Sequence, residues 1–161
     1  MDNSKIKVLF VCLGNICRSP MAEGIFNNIV KERNLLDKLF TDSAGTSTYH
    51  IGQTADSRMI SSASRRGYKL LSRAREFKAK DFNNFDYILA MDESNFNNIT
   101  KLDINSNYKD KIFLMNDFSV NYINSDVPDP YYGGKEGFNN VIDILEESCI
   151  GLFNYIKDLK L

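Results

Sequence analysis

The sequence predicts an α/β fold in which a parallel sheet is covered on both faces by helices. Three observations carry this expectation. Short apolar runs rich in β-branched and aromatic residues alternate with longer stretches of helical periodicity, the pattern of βαβ units. No repeat, proline-rich or glycine-rich tract or long linker divides the chain. Its 161 residues match one domain large enough to bury a core.

The elements follow in order. Lys5 to Cys12 reads as a strand buried on both faces. Turn residues follow, and Ser19-Pro20 opens a helix, because a proline in the first turn lacks only an N–H that would have no partner there. Met21, Ile25, Ile29 and Val30 give that helix an apolar stripe. Phe40 to Ala44 reads as the second strand, ending in Ala44-Gly45. Asp56 to Gly67 reads as a helix with Gly67 as its stop. Tyr87 to Met91 is the third strand, followed by a helix that Asp92 can cap. Ile112 to Met115 is the fourth. Phe138, Val141, Ile142, Leu145, Cys149, Leu152 and Ile156 step by threes and fours along a C-terminal helix, which puts Cys149 in the core.

Composition narrows the function classes. Lys+Arg 20 against Asp+Glu 21 gives a net charge of −1, without the basic excess of a nucleic-acid binder. The basic stretch from Arg65-Arg66 through Arg75 reads as a solvated face. The apolar run Val8 to Leu13 is too short for a membrane span or a signal peptide, and neither end carries a lipidation signal. A cytoplasmic protein is expected. Three cysteines, an odd number, argue against a disulfide framework and for at least one reactive thiol.

Cys12-Leu13-Gly14-Asn15-Ile16-Cys17-Arg18-Ser19-Pro20 joins the first strand to a helix N-terminus, where unpaired N–H groups and the helix dipole favour anions. Gly14 and Asn15 accept left-handed conformations, so the loop can curl and turn successive N–H groups inward around phosphate oxygens. Arg18 adds a planar fork for two of those oxygens. Cys12 then lies beneath the phosphorus. The field that binds a dianion also favours a thiolate, and the Ser19 hydroxyl can donate to the sulfur. In folds of this class ligands bind at the carboxyl ends of the strands, where this turn sits.

Cleavage of a phosphate ester also needs a proton for the leaving oxygen. His50 is the one histidine, which disfavours a Cys-His protease or a multi-histidine metal site. Asp129, in Val127-Pro128-Asp129-Pro130-Tyr131-Tyr132, is the candidate acid, held on a backbone stiffened by two prolines. Tyr131 and Tyr132 offer apolar walls for an aromatic substrate.

Together these residues resemble the low-molecular-weight protein tyrosine phosphatases over nearly the whole chain. Cys12 to Glu23, Asp42-Ser43-Ala44-Gly45-Thr46, Gly52, Asp56 to Arg58, Ala90-Met91-Asp92-Glu93-Ser94-Asn95, and Asp129-Pro130-Tyr131-Tyr132 with Gly137-Phe138 fit the family's blocks in order. The resemblance implies one domain over 1–161, a four-stranded parallel sheet flanked by helices, and the phosphate loop between the first strand and first helix. It implies Cys12 as nucleophile, Arg18 as phosphate binder and transition-state stabiliser, and Asp129 as acid and then base. It further implies phosphate binding by Leu13, Gly14, Asn15, Ile16, Cys17, Arg18 and Ser19, and a substrate slot lined by Tyr49 and Tyr131. Asn15 and Ser43 are expected to hold the loop, with Asp92 and Ser72 in support. Ser72 stands where the family commonly has a histidine that buttresses the loop asparagine, and a hydroxyl is a shorter buttress. Cys17 is implied as redox partner of Cys12, and His50 reads as a surface residue of the variable loop.

The expected activity is hydrolysis of protein phosphotyrosine and small aryl phosphates through a cysteinyl phosphate, with no cofactor or metal. The partners expected are tyrosine-phosphorylated proteins, with the chain a monomer or at most weakly self-associating. Three rivals are less well matched. Arsenate reduction needs further relay cysteines, and beyond Cys17 only Cys149 remains, on a packed helix. An arginine phosphatase tends to have threonine where Ile16 stands. A binding module without turnover would not need Asp129.

Overall fold

Val8 to Val11 are wholly buried, which requires a strand with neighbours on both edges and helices on both faces. The computed structural model, which describes residues 4–131 and 134–161, supplies both. β1 (Ile6–Cys12) lies between β2 (Leu39–Gly45) and β3 (Tyr87–Ala90), with β4 (Ile112–Leu114) outside β3. The order is β2-β1-β3-β4 and every pairing is parallel. Side chains alternate across the sheet as strand geometry demands. Val8, Phe10 and Leu89 face α1 (Arg18–Glu32), α2 (Ser57–Ser64) and α5 (Lys135–Lys160). Leu9, Val11 and Ile88 face α3 (Asp81–Asn84) and α4 (Glu93–Leu102).

The strands agree with the sequence to within a residue at most ends. α2 is shorter than expected: Asp56 caps it by accepting the Arg58 N–H, and the helix stops at Ser64 before a turn that reaches Gly67 at φ +85°. The four-residue α3 and two 3₁₀ turns, Lys109–Lys111 and Met115–Phe118, carry no periodic signal long enough to read. Arg66 pairs with Asp143 and Glu146 of α5, so part of the basic stretch is neutralised within the fold. Among the described residues no helix is long and apolar enough to cross a membrane.

Two features aim the site. β1 ends where its two neighbours diverge in connectivity, the crevice in which open α/β sheets bind ligands. Its last residue, Cys12, pairs in register with Gly45. A Cβ on Gly45 would lie 2.8 Å from the Leu13 carbonyl oxygen, so only glycine lets the two segments meet. α5 packs still more closely against the 3₁₀ turn after β4. A Cβ on Gly151 would overlap the Phe118 carbonyl. Gly151→Ala is therefore expected to lower the unfolding free energy by about 3 kcal/mol, the upper end of ordinary overpacking costs. An unchanged urea midpoint would show that this contact yields freely.

Candidate active site

The loop between β1 and α1 is held from outside by its carbonyls. Cys12, Leu13 and Ile16 oxygens accept from the main-chain N–H groups of Thr46 (2.9 Å), Ser47 (2.9 Å) and Asp56 (2.7 Å). A trans peptide points its N–H opposite to its C=O, so the amides of Leu13, Gly14 and Cys17 face away from those donors, into the loop. Asn15 makes the bend at φ +56°. The result is a concave ring of amides at a helix start, suited to an oxyanion.

Cys12 lies at its base, 3% exposed. Its Sγ is 3.0 Å from Ser19 Oγ and accepts from the Asn15 N–H at 3.3 Å. Ser19 Oγ in turn accepts from Asn15 Nδ2 at 2.7 Å, which leaves its own proton for the sulfur rather than for the Ala44 carbonyl at 3.5 Å. Both contacts place a hydrogen-bond donor against the sulfur.

Arg18, the first residue of α1, is nearly as buried. NH1 donates to Asp92 Oδ2 at 2.6 Å and to the Val127 carbonyl at 3.0 Å, and NH2 lies 3.7 Å from Asp129 Oδ2. Burial works against its charge, but Cys12, Asp92 and Asp129 outweigh it and hold the guanidinium above its usual range. Asp92 has two tasks, since its Oδ1 caps α4 through the Asn95 N–H at 2.7 Å. Asp129 is 40% exposed and fixed by a turn in which Oδ1 accepts the Tyr131 N–H at 3.0 Å.

A cavity of about 470 Å³ opens on these groups. Cys12, Arg18 and Asp129 all line it, with Leu13, Gly14, Ile16 and Cys17 from the loop and Tyr49 and Tyr131 at the walls. Tyr49 is 83% exposed, at the rim. Tyr132 lies outside the described residues. Ser47 and His50 join the lining. His50, read from sequence as a surface residue, is instead pinned by Gln53 Oε1 at 3.0 Å and set edge-on to Tyr49, beside Gly14. Nothing local in the sequence distinguishes it. Arg58 stacks between the Tyr131 and Phe138 rings, 5.3 and 4.8 Å from their centroids, and steadies that wall.

The support behind the loop differs from expectation. Ser43 and Ser72 do not reach Asn15. Ser43 Oγ donates to Glu23 Oε1 at 2.5 Å, and Ser72 bonds the same carboxyl. Burial pushes the Glu23 carboxyl above its usual range, opposed by those two hydroxyls. Asn15 Oδ1 is held by the Arg75 main-chain N–H at 3.0 Å instead. The Ser72 hydroxyl is engaged by Glu23, and a main-chain donor leaves no residue-type signature. Burial raises the Cys17 thiol, and Asp56, Cys12 and Asp129 add to the effect. Cys149, as expected, is core, its thiol against the Ala22 carbonyl.

Comparison with known proteins agrees with this geometry. The family model for low molecular weight phosphotyrosine protein phosphatase matches residues 7–160. A low molecular weight protein-tyrosine-phosphatase of Staphylococcus aureus is 42% identical over 158 residues, covering 97% of this chain and 97% of its own. A crystal structure of a protein tyrosine phosphatase from Entamoeba histolytica, with Hepes in the active site, has a TM-score of 0.93 and 48% identity over 98% of this chain and 100% of that one. An arginine phosphatase of Drosophila is more distant, with a TM-score of 0.88 and 35% identity over 94% and 98% of the two chains. The chain belongs to the low molecular weight phosphotyrosine protein phosphatase family.

Proposed function

We propose that the chain hydrolyses phosphotyrosine in proteins, and small aryl phosphates, with Cys12 as nucleophile, Arg18 as phosphate binder and Asp129 as acid and base. One observation carries the assignment: the Cys12 sulfur, the Arg18 guanidinium and the Asp129 carboxyl line one cavity at the amide ring. The amides of the loop and Arg18 hold the phosphoryl oxygens. The Cys12 thiolate attacks phosphorus in line, the bond to the tyrosine oxygen breaks, and Asp129 gives that oxygen its proton. A cysteinyl phosphate remains. Asp129, now a carboxylate, takes a proton from water as the water attacks phosphorus. The S–P bond breaks, inorganic phosphate leaves, and the sulfur anion returns to the Ser19 and Asn15 donors.

Tyr49, Tyr131, Ile16 and the pinned His50 form walls suited to a phenyl ring. On this proposal the substrates are tyrosine-phosphorylated proteins, and the chain acts in the cytoplasm as a monomer or at most a weakly self-associating one. Turnover of p-nitrophenyl phosphate in EDTA tests the reading. Cys12→Ser should abolish it, Arg18→Ala should raise KM and cut kcat, and Asp129→Ala should cut kcat by about 10²–10⁴, the range of general acid catalysis. Residual turnover by Cys12→Ser would overturn the assignment. Phosphotyrosine peptide should be cleaved in preference to phosphoarginine.

Cys17 serves as the resolving thiol. Peroxide oxidises the Cys12 thiolate to a sulfenic acid and is itself reduced to water. The Cys17 thiol then attacks that sulfur and forms the S–S bond, its proton leaving with the displaced hydroxide as water, and added thiol, itself oxidised to a disulfide, restores both cysteines. After peroxide treatment Cys17→Ser should regain less activity with dithiothreitol than wild type does. Equal recovery would refute this role.

A further inference from the structure

Arg75 lies outside the cavity, yet its main chain meets the loop at its left-handed residue. A left-handed residue with a side chain needs support from its surroundings, and Asn15, at φ +56°, takes it through its carboxamide. Oδ1 accepts from the Arg75 N–H at 3.0 Å and Nδ2 donates to Ser19 Oγ at 2.7 Å. With Ser19 Oγ 3.0 Å from Cys12 Sγ, three contacts lead from Arg75 to the sulfur. Ser72 is engaged by Glu23, so among the described residues the Arg75 N–H is the sole donor to Asn15 Oδ1.

Arg75 is itself gripped at both ends. Its guanidinium forks onto Asp81, NH1 to Oδ2 and NH2 to Oδ1, each at 3.1 Å. Nε donates to Asp42 Oδ2 at 3.1 Å and NH1 to the Glu76 carbonyl at 3.2 Å. Its own carbonyl accepts from the Gly45 N–H at 2.8 Å. Asp81 is 2% exposed, so leaving it unpaired would strand a buried charge. The pair is held by its own chemistry in one geometry, and that geometry sets where the Arg75 N–H points.

We propose that Arg75 is a positioning residue of the phosphate loop: the Asp81–Arg75–Asp42 clamp fixes the main-chain donor on which Asn15 rests, and through it sets the Ser19 hydroxyl against Cys12. This rests on the reading of Cys12 as nucleophile. The clamp joins β2, α3 and the strand-like segment 73–77, so it transmits the position of the sheet edge to the sulfur.

The test uses the full chain with Asp81→Asn, which keeps an acceptor for the Lys78 N–H but removes the charge, and with Arg75→Lys, which keeps the charge but removes the fork. Four quantities are read: kcat and KM for p-nitrophenyl phosphate, the rate of Cys12 alkylation by iodoacetamide at pH 6, and Tm. Both variants should lose about tenfold in kcat, less than the hundredfold that a 1 Å misplacement produces. Alkylation should slow severalfold, KM should move less than kcat, and Asp81→Glu should recover most of the loss. In an Asn15→Ala background, Asp81→Asn should slow alkylation no further, because both changes cut the same chain of bonds. A lower Tm with unchanged kcat and alkylation would overturn the proposal, as would full additivity with Asn15→Ala. If Asp81→Asn does not fold, Asp42→Asn carries the same expectation at smaller size. Absence of turnover in wild type would instead defeat the reading of Cys12, a separate result.

Discussion

The site depends on one main-chain seam, the hydrogen bonds that join the phosphate loop to the segment leaving β2. Thr46, Ser47 and Asp56 donate to loop carbonyls, and Gly45 makes room for them by having no side chain. Because peptide groups are dipoles with fixed opposite ends, binding the carbonyls on the outside turns the amides to the inside. The anion-binding face is thus a consequence of how the loop is fastened. Only then do Cys12 and Arg18 have a setting in which a sulfur anion and a guanidinium can share a volume of low exposure.

Charge is balanced in that volume by position rather than by count. Arg18 sits among Cys12, Asp92 and Asp129, which keep it ionised against the cost of burial. Asp92 also caps α4, so the carboxylate that aims the guanidinium is itself aimed by a helix. Asp129 stands further off, with its side chain 40% exposed, while remaining 3.7 Å from the Arg18 guanidinium. One charged group is thus locked and the other accessible, which suits the binding and proton-carrying roles proposed for them.

Much of this was legible in the sequence, for reasons that can be named. β1 and the loop are readable because a fully buried strand, Gly-Asn and Ser-Pro each leave a residue-type signature. α5 is readable because seven apolar positions keep one period. What escaped shares a different character. The short α3 lacks room for periodicity. His50 is placed by its bond to Gln53 and by packing against Tyr49 and Gly14, and none of these neighbours carries a signal in sequence. Ser72 was expected to buttress Asn15 and Ser43 to help hold the loop, but both bond Glu23, because side-chain reach decides between partners and reach is a three-dimensional quantity. The Arg75 N–H is invisible in any alphabet of side chains.

The seam carries one more implication. The donors at positions 46, 47 and 56 are main-chain groups, which every residue but proline possesses. The seam itself thus asks nothing of the side chains at 46 and 47, whereas Asp56 is also needed to cap α2, and the aromatic rim borne by the same stretch can be rebuilt for new partners while the loop beneath it stays as it is.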